Sequence, residues 1–66
     1  MAINMAEEKF RVIYDDGKGY AVYYKKGNSH FCYSVNINRH GAEVVSPSRK
    51  ISRTAYEFAK PYGITI

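Results

Sequence analysis

The segment from Phe31 to Asn38 constrains the fold of this chain more than any other stretch of the sequence. Two kinds of side chain alternate along it without a break: large apolar residues at Phe31, Tyr33, Val35 and Ile37, and small or polar residues at Cys32, Ser34, Asn36 and Asn38. A period of two is typical of a β-strand with one face in a core, because successive side chains point to opposite faces. On a helix the same apolar residues would be spread around the axis. The sequence therefore predicts a strand here.

Further strands are predicted on both sides of this segment. Residues 9–15 and 20–25 also alternate, and a short strand is predicted over residues 42–46. Turn-forming residues separate these runs, with Asp16-Gly17 before the second strand and Gly27-Asn28 before the third. Short strands in succession, joined by tight turns, predict an antiparallel meander.

After residue 46 the pattern changes to that of a helix over residues 47–60. Ser46 and Ser48 are candidate N-caps, Pro47 is tolerated at the first helical position, and Pro61 ends the helix. The predicted buried stripe has helical spacing and consists of Ile51, Ala55, Phe58 and Tyr62. We expect the stripe to cover the sheet face with Phe10, Val12, Tyr14, Val22, Tyr24, Tyr33, Val35 and Ile37.

These elements predict one small α+β domain of 66 residues. An antiparallel sheet of three to four strands over residues 9–46 carries one C-terminal helix on one face, in two layers. Residues 1–8 are predicted to be a flexible arm and residues 61–66 a tail. Because one helix covers only one face of a sheet, the other face is predicted to be a recognition surface, or to be covered by the arm or by a second copy in a homodimer.

The cysteine content of the chain indicates the cellular compartment in which the protein folds. Cys32 is the only cysteine, so no disulfide can form within the chain. Small secreted domains usually depend on disulfides, and we therefore expect a cytoplasmic protein. The first residues lack the basic and apolar segments of a secretory signal, and no stretch approaches the ~20 apolar residues of a membrane span. A membrane partner is not expected.

The sequence shows no pattern of catalytic or metal-binding residues. His30 and Cys32 share one strand face, but together with His40 they supply fewer than the about four ligands of a zinc site. A nucleophile motif and paired carboxylates facing a cleft are both lacking, and so short a chain leaves little room for a water-excluding pocket. We expect neither an enzyme nor a cofactor nor a metal site.

Basic residues are the most informative functional feature. Residues 1–16 contain two Lys/Arg and four Asp/Glu, whereas residues 17–66 contain eight and two. Such an excess suits a polyanionic partner. The candidate nucleic-acid or partner contacts are Lys25, Lys26, Arg39, His40, Arg49, Lys50 and Arg53. Further candidate contacts, on the sheet face that the helix leaves uncovered, are Tyr23, Cys32, Asn36 and Asn38.

The order of elements, a short meander and then a helix ending in TAYEFAKPYG, loosely resembles the small three-stranded DNA-binding modules of phage integrase arms and AP2-type domains over roughly residues 19–63. The tryptophan that is characteristic of AP2-type strands is absent, since this chain has no tryptophan, and no base-reading residue is carried over from the resemblance. The first functional prediction is a non-enzymatic protein that binds nucleic acid or a nucleoprotein complex through a basic surface. The alternative is a small phage-type inhibitor or adaptor, anti-CRISPR-like, that binds and blocks a host protein or defence complex.

Overall fold

The computed structural model describes residues 9–65 of the chain. Its strands are β1 (Lys9–Ile13), β2 (Gly19–Lys26), β3 (Ser29–Ile37), β4 (Glu43–Val45), β5 (Arg49–Ile51) and β6 (Ile64–Thr65). The helix α1 (Arg53–Ala59) lies between β5 and β6 and continues into a short 3-10 helix (Lys60–Tyr62). The predicted arm over residues 1–8 lies outside the described residues. The predicted α+β fold, with an antiparallel sheet and one C-terminal helix, is confirmed, but the sheet has six strands in the described residues and not the predicted three to four.

All six strands belong to one sheet, in the order β4-β3-β2-β1-β6, with β5 also paired to β3. Each observed pairing is antiparallel. β4 and β5 occupy the same edge of β3 one after the other, since Val45 lies opposite Val35 and Arg49 lies opposite Cys32. Three residues of the edge, 46–48, therefore face two of β3, which is a bulge, and Pro47 is tolerated at such a position.

The helix is shorter than predicted. It begins at Arg53 after the N-cap Ser52, whose side-chain oxygen accepts a hydrogen bond from the backbone N–H of Ala55 at 3.1 Å. The prediction of helix over residues 47–52 is wrong because residues 49–51 pair with β3 instead. A strand edge offers unpaired backbone donors and acceptors, and satisfying them outweighs a weak local helix preference.

The two serines predicted as N-caps hold the edge strand. Ser46 Oγ accepts a hydrogen bond from the backbone N–H of Ser34 at 2.9 Å, and the Ser46 N–H donates to the Ser34 carbonyl. Ser48 Oγ accepts a hydrogen bond from the Tyr24 hydroxyl at 2.9 Å. Both serines therefore tie residues 46–48 to the central strands, where they keep the bulge in place.

The helix also buries a different residue from those in the predicted stripe. Tyr56 is 1% exposed, whereas Phe58 is 76% exposed and Tyr62 is 67% exposed. The Tyr56 ring lies 5.2 Å from the ring of Phe10 and 4.7 Å from that of His30, measured between centroids. Since α1 has only two turns, its direction of approach to the sheet decides which residue is buried, and the longer predicted stripe is not the buried one.

The register defines two faces of the sheet, because residues directly opposite each other on antiparallel strands lie on the same face. The helix face carries Phe10, Val12, Ala21, Tyr23, Lys25, His30, Cys32, Ser34, Asn36, Arg49 and Ile51. The aromatic face carries Lys9, Arg11, Ile13, Tyr20, Val22, Tyr24, Lys26, Phe31, Tyr33, Val35, Ile37 and Lys50. The face predicted for the helix mixed the two sets, and this prediction is wrong: α1 packs where Phe10 and His30 lie.

Candidate nucleic-acid interface

Three aromatic side chains lie together on the aromatic face, at the end of the sheet where β2 turns into β3. Tyr24 lies directly opposite Phe31, and their rings are stacked with centroids 5.3 Å apart and planes 19° apart. The ring of Tyr33 lies 6.2 Å from that of Tyr24, with the planes inclined at 59°. All three side chains are half-buried. The rings therefore support one another and keep part of their surface accessible.

Lysines stand on both sides of this ring cluster. Lys9 on β1 lies opposite Tyr24, and Lys50 on β5 lies opposite Phe31. One row across four strands thus runs Lys9, Tyr24, Phe31, Lys50, with a cation at each end and two stacked rings between them. We call these four residues the cross-sheet row.

A third lysine completes the border of the ring cluster. Lys26 lies on the same face, two residues beyond Tyr24. Lys9, Lys26, Tyr24 and Tyr33 line a shallow depression of about 430 Å³. Lys9, Lys26 and Lys50 are all exposed, so their ammonium groups remain available to an anion.

The rest of the aromatic face repeats the pairing of cation and ring once more. The guanidinium carbon of Arg11 lies 5.4 Å from the centroid of the Tyr20 ring, within the range of a cation–π contact. Among residues 9–65, the register places one acidic residue on this face: Glu43, opposite Ile37 at the other end of β3. The end with the ring cluster therefore has a positive surface on this side of the sheet.

The seven basic residues predicted as contacts do not form one patch. Lys26 and Lys50 belong to the aromatic face, as described above. Arg39 and His40 lie in the turn between β3 and β4, at the opposite end of the sheet. Arg49 lies on the helix face opposite Cys32. The structure thus brings only part of the predicted set to the ring cluster.

Two of the predicted residues meet in a hollow on the helix side. Lys25 and Arg53 line a space of about 350 Å³ together with His30 and Tyr56. Asn28 and Glu57 complete its lining. Because Lys25 and Lys26 are consecutive, they place one cation on each face at the same end of the sheet. Both faces are therefore basic around the turn between β2 and β3.

The four predicted sheet-face contacts have a different environment from the one expected. Tyr23 stacks on Phe10 at 5.2 Å and 11°, and Cys32 is 5% exposed, so both lie on the face that the helix packs against. Their predicted position on the uncovered face is wrong, because the helix packs on the face that carries Tyr23 and Cys32. Asn36 lies on the same face and is exposed. Asn38 Oδ1 accepts hydrogen bonds from the backbone N–H groups of His40 and Ala42, at 2.8 and 3.0 Å, and so shapes a turn.

Burial changes the acidity of two neighbouring groups on the helix face. Desolvation raises the pKa of the Cys32 thiol above its ordinary value of 9.0. The positive charge of Arg49 lowers this pKa, but by less than desolvation raises it. Desolvation, and then the neighbouring Cys32, raise the pKa of the Tyr23 hydroxyl above its ordinary value of 10.0. A thiol with a raised pKa is protonated at neutral pH and is a poor nucleophile.

Four residues of the candidate surface were not predicted as site residues: Lys9, Tyr24, Phe31 and Tyr33. A signal for the central pair was present, because a two-residue turn at Gly27-Asn28 places Tyr24 opposite Phe31. Tyr24 and Tyr33 were predicted to lie in the core beneath the helix, and this prediction removed them from the candidate surface. The wrong prediction of the sheet face that the helix covers therefore explains why Tyr23 and Cys32 were placed on the uncovered face and why Tyr24 and Tyr33 were left out of it.

The chain was compared with known protein families, curated proteins and solved structures. No protein family matches the chain, and neither a curated protein nor a solved structure matches it. Within residues 9–65, no three His, Cys, Asp or Glu residues are grouped so that they could hold a metal ion. The same part of the chain contains no helix of sufficient length and apolar character to cross a membrane.

Proposed function

We propose that this protein binds nucleic acid without catalysing a reaction, and that the aromatic face is its contact surface. The observation that carries the proposal is the cross-sheet row, in which Lys9 and Lys50 flank the stacked rings of Tyr24 and Phe31. Lysines on a sheet face attract phosphates, and aromatic rings among them provide surface for bases or sugars. A nucleoprotein complex would present the same polyanionic surface.

Charge placement supports this proposal over a purely solvating role for the lysines. Solvating charges are usually mixed in sign across a surface, because mixing limits repulsion. Lys9, Lys26 and Lys50 instead border one ring cluster, and the acidic residue that the register adds to this face, Glu43, lies at the far end. Lys25 and Arg53 extend the positive surface around the β2–β3 turn.

A salt titration tests the proposal. Fluorescence anisotropy of labelled oligonucleotides, single-stranded and duplex, is measured between about 50 and 200 mM salt. We expect affinity to fall with salt, with a log–log slope of about −0.7 to −0.9 for each phosphate that the protein neutralises. Absence of binding to every oligonucleotide at the lowest salt would overturn the proposal.

A pair of double variants with equal loss of charge locates the surface. Lys26→Gln with Lys50→Gln removes two cations from the aromatic face, and we expect weaker binding and a smaller salt slope. Lys18→Gln with Arg39→Gln removes two cations from the other end of the sheet. We expect this control to retain most of the affinity. Equal losses in the two double variants would show that net charge alone governs binding.

A second candidate function is that of an inhibitor or adaptor which binds a protein. Phe58, Tyr62 and Ile64 are 76%, 67% and 53% exposed, and the rings of Phe58 and Tyr62 lie 6.4 Å apart. Exposed aromatic clusters are typical centres of protein interfaces. A protein retained from host lysate after nuclease treatment, and lost with Phe58→Ser, would support this function. A second copy of the chain is another occupant of this surface, and a solution mass twice that of the monomer would identify it.

The cytoplasmic location remains part of the proposal. With one cysteine the chain has no internal disulfide, whereas small secreted domains usually depend on disulfides. Fractionation of cells that express the protein, with detection in the soluble cytoplasmic fraction, tests this expectation. Recovery from the medium or the membrane fraction would contradict it.

A further inference from the structure

We propose that the ligand of the aromatic face is single-stranded nucleic acid, whose bases stack on Tyr24, Phe31 and Tyr33. The inference rests on the proposed function and specifies its ligand class. Bases within a duplex are stacked on each other, so a protein reaches their edges in the grooves but not their faces. In a single strand the base faces are available to aromatic side chains.

The geometry of the rings fits this ligand. Tyr24 and Phe31 are stacked on each other and form an aromatic platform whose outer faces remain for bases, while the ring of Tyr33 is inclined at 59° to Tyr24 and presents a further surface. A small set of aromatic rings on a sheet can stack about two or three bases, as on other sheets that bind RNA. The lysines at both ends of the cross-sheet row are placed to meet the phosphates on either side of the stacked bases.

The platform is held in place before any ligand arrives. The Tyr24 hydroxyl donates a hydrogen bond to Ser48 Oγ at 2.9 Å, which joins the ring to the edge segment between β4 and β5. Pre-organised side chains lose less conformational entropy on binding than mobile ones. The hydrogen bond therefore favours Tyr24 as a stacking residue.

A structural role for the rings explains only part of this arrangement. A cross-strand aromatic pair stabilises a hairpin, and Tyr24 and Phe31 do so here. The apolar interior on this face, however, is already provided by Val22 and Val35, which are both buried. The three rings lie beside them at the basic end, half-buried and bordered by Lys9, Lys26 and Lys50.

Three probes of about 12 nucleotides, a length within the range of single-strand binding sites, separate base contacts from phosphate contacts. They are a labelled oligothymidine strand, a duplex of equal length, and a strand of abasic sites that keeps the phosphates but lacks the bases. We expect the unsubstituted protein to bind oligothymidine at least about tenfold more tightly than the abasic strand, since two or more stacked bases are lost. We also expect weaker binding of the duplex. Tyrosine emission, the main fluorescence of a chain without tryptophan, should be quenched by oligothymidine and not by the abasic strand.

Variants then assign the stacking to named rings. Phe31→Leu and Tyr33→Leu keep an apolar side chain in the strand, and each should weaken oligothymidine binding by about fivefold or more. Neither should change binding of the abasic strand. Phe58→Leu removes an exposed ring from α1 and serves as the matched control with unchanged affinity. Circular dichroism checks that each variant is folded.

The outcomes distinguish the inference from the function on which it rests. Binding of oligothymidine, duplex and abasic strand with equal affinity would overturn base stacking, while nucleic-acid binding through the lysines would stand. Absence of binding to all three probes would overturn both. If a ring variant fails to fold, the comparison of the three probes with the unsubstituted protein still decides the question.

Discussion

The ring of Tyr56 lies 4.7 Å from the imidazole of His30, and this contact joins α1 to β3 near the turn between β2 and β3. Both side chains are buried, and Phe10 completes the contact at 5.2 Å from Tyr56. The contact determines which face of the sheet the helix covers. It thereby leaves Tyr24, Phe31 and the flanking lysines on the other side.

Replacement of Tyr56 measures this contact directly. We expect Tyr56→Ala to destabilise the protein by about 3–5 kcal/mol, as for other buried aromatic residues. A domain this small has a net stability of about the same size, so the variant should be largely unfolded. Phe58→Ala, which changes an exposed ring on the same helix, should alter the free energy of unfolding by about 0.5 kcal/mol or less. Urea denaturation followed by circular dichroism compares them, and a larger effect at Phe58 would contradict the observed packing.

Gly63 leaves space for the ring of Phe10. A Cβ atom at position 63 would collide with that ring, and the backbone there has an ordinary extended conformation, so the space alone requires glycine. We expect Gly63→Ala to cost about 1–3 kcal/mol, as is typical of overpacking. The same substitution should cost less in a Phe10→Leu background, because the smaller side chain can move aside. Equal costs in both backgrounds, measured by urea denaturation, would show that the ring is not the cause.

Ser52 is the residue that begins the helix. Its side-chain oxygen accepts the hydrogen bond from Ala55 N–H, so we expect Ser52→Ala to cost about 1 kcal/mol and to reduce helical signal. Ser52→Asp retains an acceptor at this position and serves as the control, with little loss of stability. A helical signal unchanged in Ser52→Ala would contradict the assignment of the cap.

Stability should decline in alkaline solution. Burial raises the pKa of Cys32 above 9.0 and that of Tyr23 above 10.0, so the unfolded chain releases these protons at lower pH than the folded chain. The associated stability is complete below about pH 9 and is lost as pH rises through the folded pKa values. Urea midpoints measured from about pH 7 to pH 11 should therefore fall.

The Cys32→Ala variant isolates the thiol in the same measurement. Its midpoint should fall less between about pH 9 and pH 10, because no thiol titrates. Labelling with iodoacetamide gives an independent check: Cys32 should react more slowly in the folded protein than in urea at equal pH. Identical pH profiles for the two proteins would contradict the raised pKa of Cys32.

Local features of the sequence determined β1 to β4, whereas β5 and β6 were not predicted as strands. The period-two pattern at residues 31–38 and the turn residues around Gly27 and Asn28 correspond to β3 and to the hairpin that pairs Tyr24 with Phe31. Side-chain alternation and the residue preferences of turns involve only a few neighbouring residues, so they can be recognised in the sequence alone. For the same reason the sequence predicted an α+β fold with one C-terminal helix.

Tertiary structure decided the side on which the helix packs and the state of residues 49–51. The spacing of Phe58 and Tyr62 predicted a buried stripe, but a helix of two turns can pack either side against the sheet. In the structure Tyr56 packs against Phe10 and His30 instead. Likewise, Arg49–Ile51 became β5 because the edge of β3 had backbone groups to satisfy. Both decisions depend on partners far away in the chain, and together they assembled the cross-sheet row on the face opposite the helix.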